Sequence, residues 1–137
     1  MSEYILKHTG EQIDAGIEKA NSALSDSGWH DLVLQNGTLM SGGVTPRYRK
    51  IGNVVTTSGR IVPRTEEAVV FATLPAGFRP EQLHSFGTMP TSDNASLMRR
   101  VTISATTGEC IISFRHENSV PGATANLAYP IHFSFIT

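Results

Sequence analysis

The spacing of hydrophobic positions changes once along this chain. Between residues 9 and 25 (TGEQIDAGIEKANSALS) the apolar side chains fall at Ile13, Ile17, Ala20 and Leu24. Steps of four, three and four make a narrow coiled-coil seam rather than the broad stripe of a helix lying on a core. Thr9 followed by Gln12 forms a capping box, and Glu11 and Asp14 place negative charge in the first turn. The pattern predicts a helix of about four turns, which is marginal alone in water. Gly16 costs it roughly a further 1 kcal/mol against Ala. Such a helix either lies on its own domain or bundles with other copies. The seam favours a short parallel trimeric bundle, with Ile13, Ile17, Ala20 and Leu24 as the subunit interface. Ser25 to Gly28 (SDSG) breaks the helix.

From Trp29 onward the period drops to two. DLVLQNG predicts a strand with an Asn36-Gly37 turn. Tyr48–Ile51 and Val54–Val62 flank a second tight turn at Gly52-Asn53. Ala68–Leu74 is apolar on both faces, as in a strand buried on both sides. Gln82–Phe86 is a weaker strand. Met98–Ala105 alternates, with Val101, Ile103 and Ala105 inward and Arg100, Thr102 and Ser104 outward. Thr107-Gly108 turns the chain into Cys110–Arg115, where Cys110, Ile112 and Phe114 share a face. In Leu127–Ile136 the odd positions Leu127, Tyr129, Ile131, Phe133 and Phe135 are apolar. Short strands at roughly ten-residue spacing predict a jelly-roll-like antiparallel β-sandwich. The expected organisation is a mainly β chain: residues 1–28 form the helix and linker, and residues 29–137 form one head domain.

Composition agrees with turn-rich β structure. Of 137 residues 17% are charged, below the usual ~25%. The net charge of −1 offers nothing to gather a polyanion, so no nucleic-acid partner is expected. No apolar run approaches the ~20 residues that span a bilayer. The N-terminus lacks the basic flank and apolar core of a signal peptide. The single cysteine, Cys110, excludes an intrachain disulfide, and its place among core positions marks a buried inert thiol.

Candidate chemistry is sparse. His8, His30, His84, His116 and His132 show no metal-ligand spacing, so no metal or other cofactor is expected. There is no GxSxG elbow and no phosphate loop. Glu66 and Glu67 are adjacent, so on a strand they point to opposite faces and cannot act on one bond. No catalytic residue is assigned, and the chain reads as a non-enzyme. Arg47, Arg49 and Lys50 cluster around Tyr48, as on a charged edge strand that blocks unwanted sheet pairing. Saccharide sites combine an aromatic platform with polar groups on loops. Candidates are Trp29 with His30 and Asp31, His84 with Phe86, the loop containing Asp93 and Asn94, and the loop Arg115, His116, Glu117 and Asn118. The last two loops are the favoured ligand contacts, while Trp29, which stands where helix meets head, is better explained by packing there.

Three motifs occur in order: WHDLVLQNG, YRKIGNVV and LPAGFRP, behind an HTGEQID helix start. The set resembles the head domains of bacteriophage tail fibres and receptor-binding proteins from phages and prophages of Gram-positive hosts. That resemblance implies a homotrimeric adhesin in the virion tail, made in the host cytoplasm. It would bind a host cell-wall or surface saccharide without breaking bonds and assemble with other tail or baseplate proteins. Two other readings stay open: a structural baseplate adaptor with an exposed apolar patch, and a tail-associated glycan hydrolase. In LPAGFRP the residues have architectural jobs. Pro75 ends a strand, Gly77 permits a positive φ, Phe78 folds back onto the core and Pro80 stiffens the exit.

Overall fold

A computed structural model describes residues 25–91, 97–114 and 124–137. The predicted helix and its seam, Ile13, Ile17, Ala20 and Leu24, lie outside the described residues. So do Asp93 and Asn94 of one candidate loop and Arg115, His116, Glu117 and Asn118 of the other.

The described residues form eleven strands and no α-helix. They are β1 (His30–Asp31), β2 (Leu39–Met40), β3 (Arg47–Ile51), β4 (Val54–Ser58), β5 (Arg60–Val62), β6 (Val69–Thr73), β7 (His84–Thr88), β8 (Arg99–Ile103), β9 (Glu109–Ile112), β10 (Tyr129–Pro130) and β11 (Ser134–Ile136). Every pairing among them is antiparallel. One layer carries the orders β1-β3-β4-β11 and β10-β5-β2, and the other carries β6-β9-β8-β7.

The first two sheets are halves of one bent sheet. β4 and β5 are separated only by Gly59, and β10–β11 pairs along both of them. Across the bend the ladder continues through the Ile131 amide on the Gly59 carbonyl (2.9 Å) and the Thr57 amide on the Phe133 carbonyl (2.9 Å). Gly59 is needed at the bend because Pro46 crosses it: a Cβ there would stand 2.7 Å from the Pro46 Cα.

The core lies between the layers. Val55 and Ile61 from the bent sheet, with Tyr129, Ile131 and Phe135, face Phe71, Val101, Ile103, Cys110 and Ile112. The period-two reading therefore holds for β8, β9 and the last segment. It fails at the ends: Ala105 lies in the turn after β8, and Phe114, beyond β9, is exposed. Phe71 and Ala72 are adjacent yet both buried. The register of β6 on β9 shifts between Val70 and Ala72, and this bulge turns Phe71 inward out of alternation.

The two predicted turns differ in outcome. Gly52-Asn53 joins β3 to β4 with Ile51 opposite Val54, a tight hairpin as expected. Asn36 (φ 55°) and Gly37 (φ 79°) make a turn closed by the Thr38 amide on the Gln35 carbonyl (3.1 Å). It is not a hairpin, because β2 leaves it to pair with β5 while the Gln35 amide donates to the Phe71 carbonyl.

YRKIG and LPAGFRP form one packed unit. Phe78 meets Tyr48 edge-on with ring centres 5.1 Å apart, and His30 stacks on Tyr48 at 5.4 Å. The Lys50 ammonium donates to the Gly77 carbonyl (2.8 Å), and Gly77 has φ 91°. Arg79 donates to the carbonyls of Leu74 (3.0 Å) and Thr106 (2.7 Å), tying the motif to the β8–β9 turn.

Candidate functional site

β4 alternates inward Val55 and Thr57 with outward Val54, Thr56 and Ser58. Register then places Arg47, Arg49 and Ile51 of β3, Asp31 of β1, and Ser134 and Ile136 of β11 on the same outer face. Trp29, one residue before β1, joins them with 40% of its surface exposed. Its indole receives two cations, the Arg47 guanidinium at 5.3 Å and that of Arg49 at 5.7 Å from the ring centre. Such contacts hold the ring in place and leave part of its surface open to a ligand.

The two arginines are not equivalent. Arg49 forms a two-pronged pair with Asp26, its Nε donating at 2.8 Å to one carboxylate oxygen and its Nη2 to the other. That pair, with the Gly28 amide, pulls the Asp26 carboxyl down to about 2. Arg47 has no carboxylate within 4.0 Å among the described residues. Its guanidinium is free to donate, and the Asp31 carboxylate opposite it in register is exposed and free to accept. A flat indole with one donor and one acceptor beside it suits a sugar ring, whose C–H face stacks while its hydroxyls bond at the rim. Thr56 and Ser134 extend this polar surface with a hydroxyl pair at 3.0 Å.

A second feature lies at the open edge of the sandwich, where β7 and β11 are edge strands. His84, Phe86, Phe133 and Phe135 form an aromatic cluster with ring centres 4.4 to 5.9 Å apart. Beside it a shallow cleft of about 360 Å³ is lined by Glu81, Gln82, Leu83, His84, Phe135 and Ile136. His84 and Phe86 do come together as the sequence suggests, but mainly as a wall of the sandwich: Phe86 and Phe133 pack on the buried core.

The two favoured loops lie outside the described residues, yet their roots do not. Arg99 is 2% exposed and points inward. It donates to the carbonyls of Ser113 (2.5 Å), Thr65 (2.8 Å) and Glu67 (2.8 Å). Its guanidinium lies 5.9 Å from the ring centre of Tyr129, whose hydroxyl donates to the Leu97 carbonyl (2.6 Å). Glu66 accepts from the Thr124 amide (3.1 Å), the Thr124 hydroxyl (2.8 Å) and the Ala125 amide (3.0 Å). Residues 97, 113 and 124, the roots of both loops, are thus tied to one polar network. Burial pushes the Tyr129 phenol up to about 12 against the pull of Arg99.

Residues 23–125 match the YomR C-terminal beta sandwich domain. The chain belongs to that family. Members of the YomR C-terminal family are β-sandwiches by name, and the layered fold described above agrees. Two solved structures are similar in fold. The receptor binding protein of Listeria phage PSA aligns with a TM-score of 0.61 at 20% identity, covering 98% of this chain and 84% of that one. The head domain of phage bIL170, among the receptor binding domains of lactococcal phages, aligns with a TM-score of 0.52 at 20% identity, covering 79% of this chain and 96% of that one. No curated protein sequence matches the chain. The β-sandwich agrees with the resemblance to phage head domains.

Within this YomR-type sandwich, sequence reasoning missed the roles of several residues. Arg47 and Arg49 looked like guards of an edge strand, but β3 lies between β1 and β4. Trp29 stands one step before β1 on the face of Arg49, and only the register shows it. Glu66, read from the sequence only as one of two adjacent carboxylates unable to act together, is an acceptor for the chain around Thr124. Sequence reasoning assigned Arg99 no role. The alternation of β8 puts Arg99 on the inward face with Val101 and Ile103, but nothing in the sequence shows that its partners are backbone carbonyls.

Proposed function

We propose that this chain is the head of a phage tail receptor-binding protein, an adhesin that holds host surface saccharide without cleaving it. The observation that carries the reading is the fold likeness to two phage receptor-binding structures, in one case across 98% of the chain. The exposed Trp29 with Arg47 and Asp31 supports it, since these groups suit a sugar ring. The proposed assembly is a homotrimer held by Ile13, Ile17, Ala20 and Leu24, located in the virion tail and joined to other tail or baseplate proteins. Three weak sites acting together raise avidity by roughly 10² or more, so each single site can be weak. The proposed contacts include Asp93, Asn94, Arg115, His116, Glu117 and Asn118, because the roots of their loops share the network around Arg99. The jelly-roll description belongs to the same proposal.

The test is a screen of the purified protein against surface glycans and cell-wall polysaccharides, with its mass read by light scattering. Binding of an intact saccharide by a trimer is expected. Trp29→Ala and Arg47→Ala separate the sheet face from the loops, where Arg115→Ala and His116→Ala are the matching variants. Release of shortened saccharide on prolonged incubation would replace adhesion with hydrolysis.

A second reading, a structural adaptor that docks other virion proteins, is favoured by one observation. Ile51, Val54 and Ile136 form an exposed apolar row on the outer face. A trimer that binds no saccharide from any Gram-positive wall preparation would favour the adaptor.

A further inference from the structure

Strand register arranges the outer face of the bent sheet in rows that run across the strands. Arg49 is opposite Thr56, and Thr56 is opposite Ser134. Trp29, one step before β1, meets Arg49 on the side of β3 away from β4, so Trp29, Arg49, Thr56 and Ser134 form one row. The row is open along its length: Trp29 and Ser134 are exposed, and Arg49 and Thr56 are half-buried. Three strand steps of about 4.8 Å make it about 14 Å long. Its two ends differ in chemistry. One end is an indole face, and the other is the Thr56–Ser134 hydroxyl pair at 3.0 Å. That pair spends one of its two protons internally, which leaves one proton and several lone pairs for a ligand. The charges beside the indole balance. Asp26 neutralises Arg49, and Asp31 stands opposite Arg47. An anionic group brought to Arg47 would therefore meet the Asp31 carboxylate one strand away.

We propose that this row takes the interior of a neutral saccharide chain, laid across the strands from Trp29 to Ser134. The inference rests on the saccharide reading above and adds the charge and the length of what is bound. A linked pyranose unit is about as long as one strand step, so about three units fit the row. The first stacks its C–H face on the Trp29 indole, with Arg47 and Asp31 at its rim. The last meets Thr56 and Ser134, whose hydroxyls exchange donor and acceptor roles to suit the sugar. An open sheet face leaves one side of each unit in water, so a single unit gains little there and the contacts add up along the chain. A chain that binds through its interior needs no free end, and a polymer offers the head many such segments. Asp26 is a specificity-determining residue in this arrangement. It holds Arg49 in a closed pair, so that Arg49 does not act as a second free cation for a polyanion.

The test offers the immobilised full chain fragments of a Gram-positive cell-wall polysaccharide. The fragments are cut by partial acid hydrolysis, sorted by length and split by anion exchange into neutral and phosphate-bearing pools. Neutral fragments of three units are expected to be retained about tenfold more strongly than single units. Ser134→Val should narrow that advantage several-fold while the head stays folded by circular dichroism. Asp31→Asn and, separately, Asp26→Asn should each raise retention of the phosphate-bearing pool several-fold, because each leaves an arginine unbalanced beside Trp29. Asp31 is exposed, so its variant tests the charge balance even if loss of the Asp26–Arg49 pair unfolds the head. Equal retention of single units and three-unit fragments would overturn the proposal, and so would a preference of the unaltered chain for the phosphate-bearing pool. Retention that Arg115→Ala and His116→Ala abolish and Trp29→Ala leaves intact would also overturn it, with the adhesin reading still in place. No retention of any pool would overturn the saccharide reading itself, and this row with it.

Discussion

Single residues carry the sharpest energetic consequences. Gly108 has φ 74°, and a Cβ there would meet the Leu74 carbonyl and stand 2.7 Å from the Arg79 Nε. Both obstacles are parts of the LPAGFRP anchor, so little can move aside. Gly108→Ala is expected to cost more than about 1 kcal/mol, read as a lower urea midpoint with an unchanged slope. Arg99 joins three separate carbonyls through one planar fork. Arg99→Met leaves those acceptors without donors and should cost about 3 kcal/mol, and Arg99→Lys should recover little of it, because one ammonium cannot reach three divergent carbonyls. Asp26 supplies a pH prediction. Its folded value is lowered to about 2 from 3.8, chiefly by the Arg49 hydrogen bond. Its contribution is therefore present above about pH 4 and is lost as pH falls through about 2. A carboxyl titration followed by NMR should show that midpoint, and Arg49→Gln should raise it toward 3.8. Cys110, whose thiol burial pushes up to about 12, should resist alkylation at about pH 8 until the protein unfolds.

At the scale of elements, the motifs turn out to be joints. Tyr48 belongs to one motif and Phe78 to another, and their edge-on contact is what places the β6–β7 connection against β3. A double-mutant cycle of Tyr48→Leu and Phe78→Leu should give a coupling of about 0.5–1.5 kcal/mol, measured by urea unfolding. Element existence was legible wherever alternation was strong, as in β3, β4, β8 and β9. Gly77 and Phe78 also take the parts their chemistry suggested. What the pattern could not show was a change of phase. The bulge at Phe71 and the bend at Gly59 each alter which residues face the core, and each is decided by a partner distant in sequence. Pro46 dictates Gly59, and β9 dictates the register at Phe71. The Asn36-Gly37 turn makes the same point: its local chemistry is as expected, but the strand that follows finds a better partner in β5.

For the whole molecule, assembly is the property with the clearest test. The double substitution Ile13→Asp and Ile17→Asp removes the proposed seam and should convert the proposed trimer to monomers or unfolded chain, read by light scattering. Persistence of a trimer would transfer assembly to contacts between the head strands. The sequence by itself determined the mainly β class, the inward positions of β8 and β9, the inert thiol, and the order of motifs that links this chain to phage head domains. These are local quantities, set by side-chain period, turn chemistry and residue type within a few positions. Only the tertiary structure decided that Trp29 shares a face with Arg47 and Arg49, that the inward Arg99 finds three backbone carbonyls as its partners, and that Ile51, Val54 and Ile136 line up beside the point where the chain at residues 25–27 is pinned. Each of those depends on strand register. Register is a relation between segments as far apart in sequence as Val54 and Ile136, and no window along a single strand contains it.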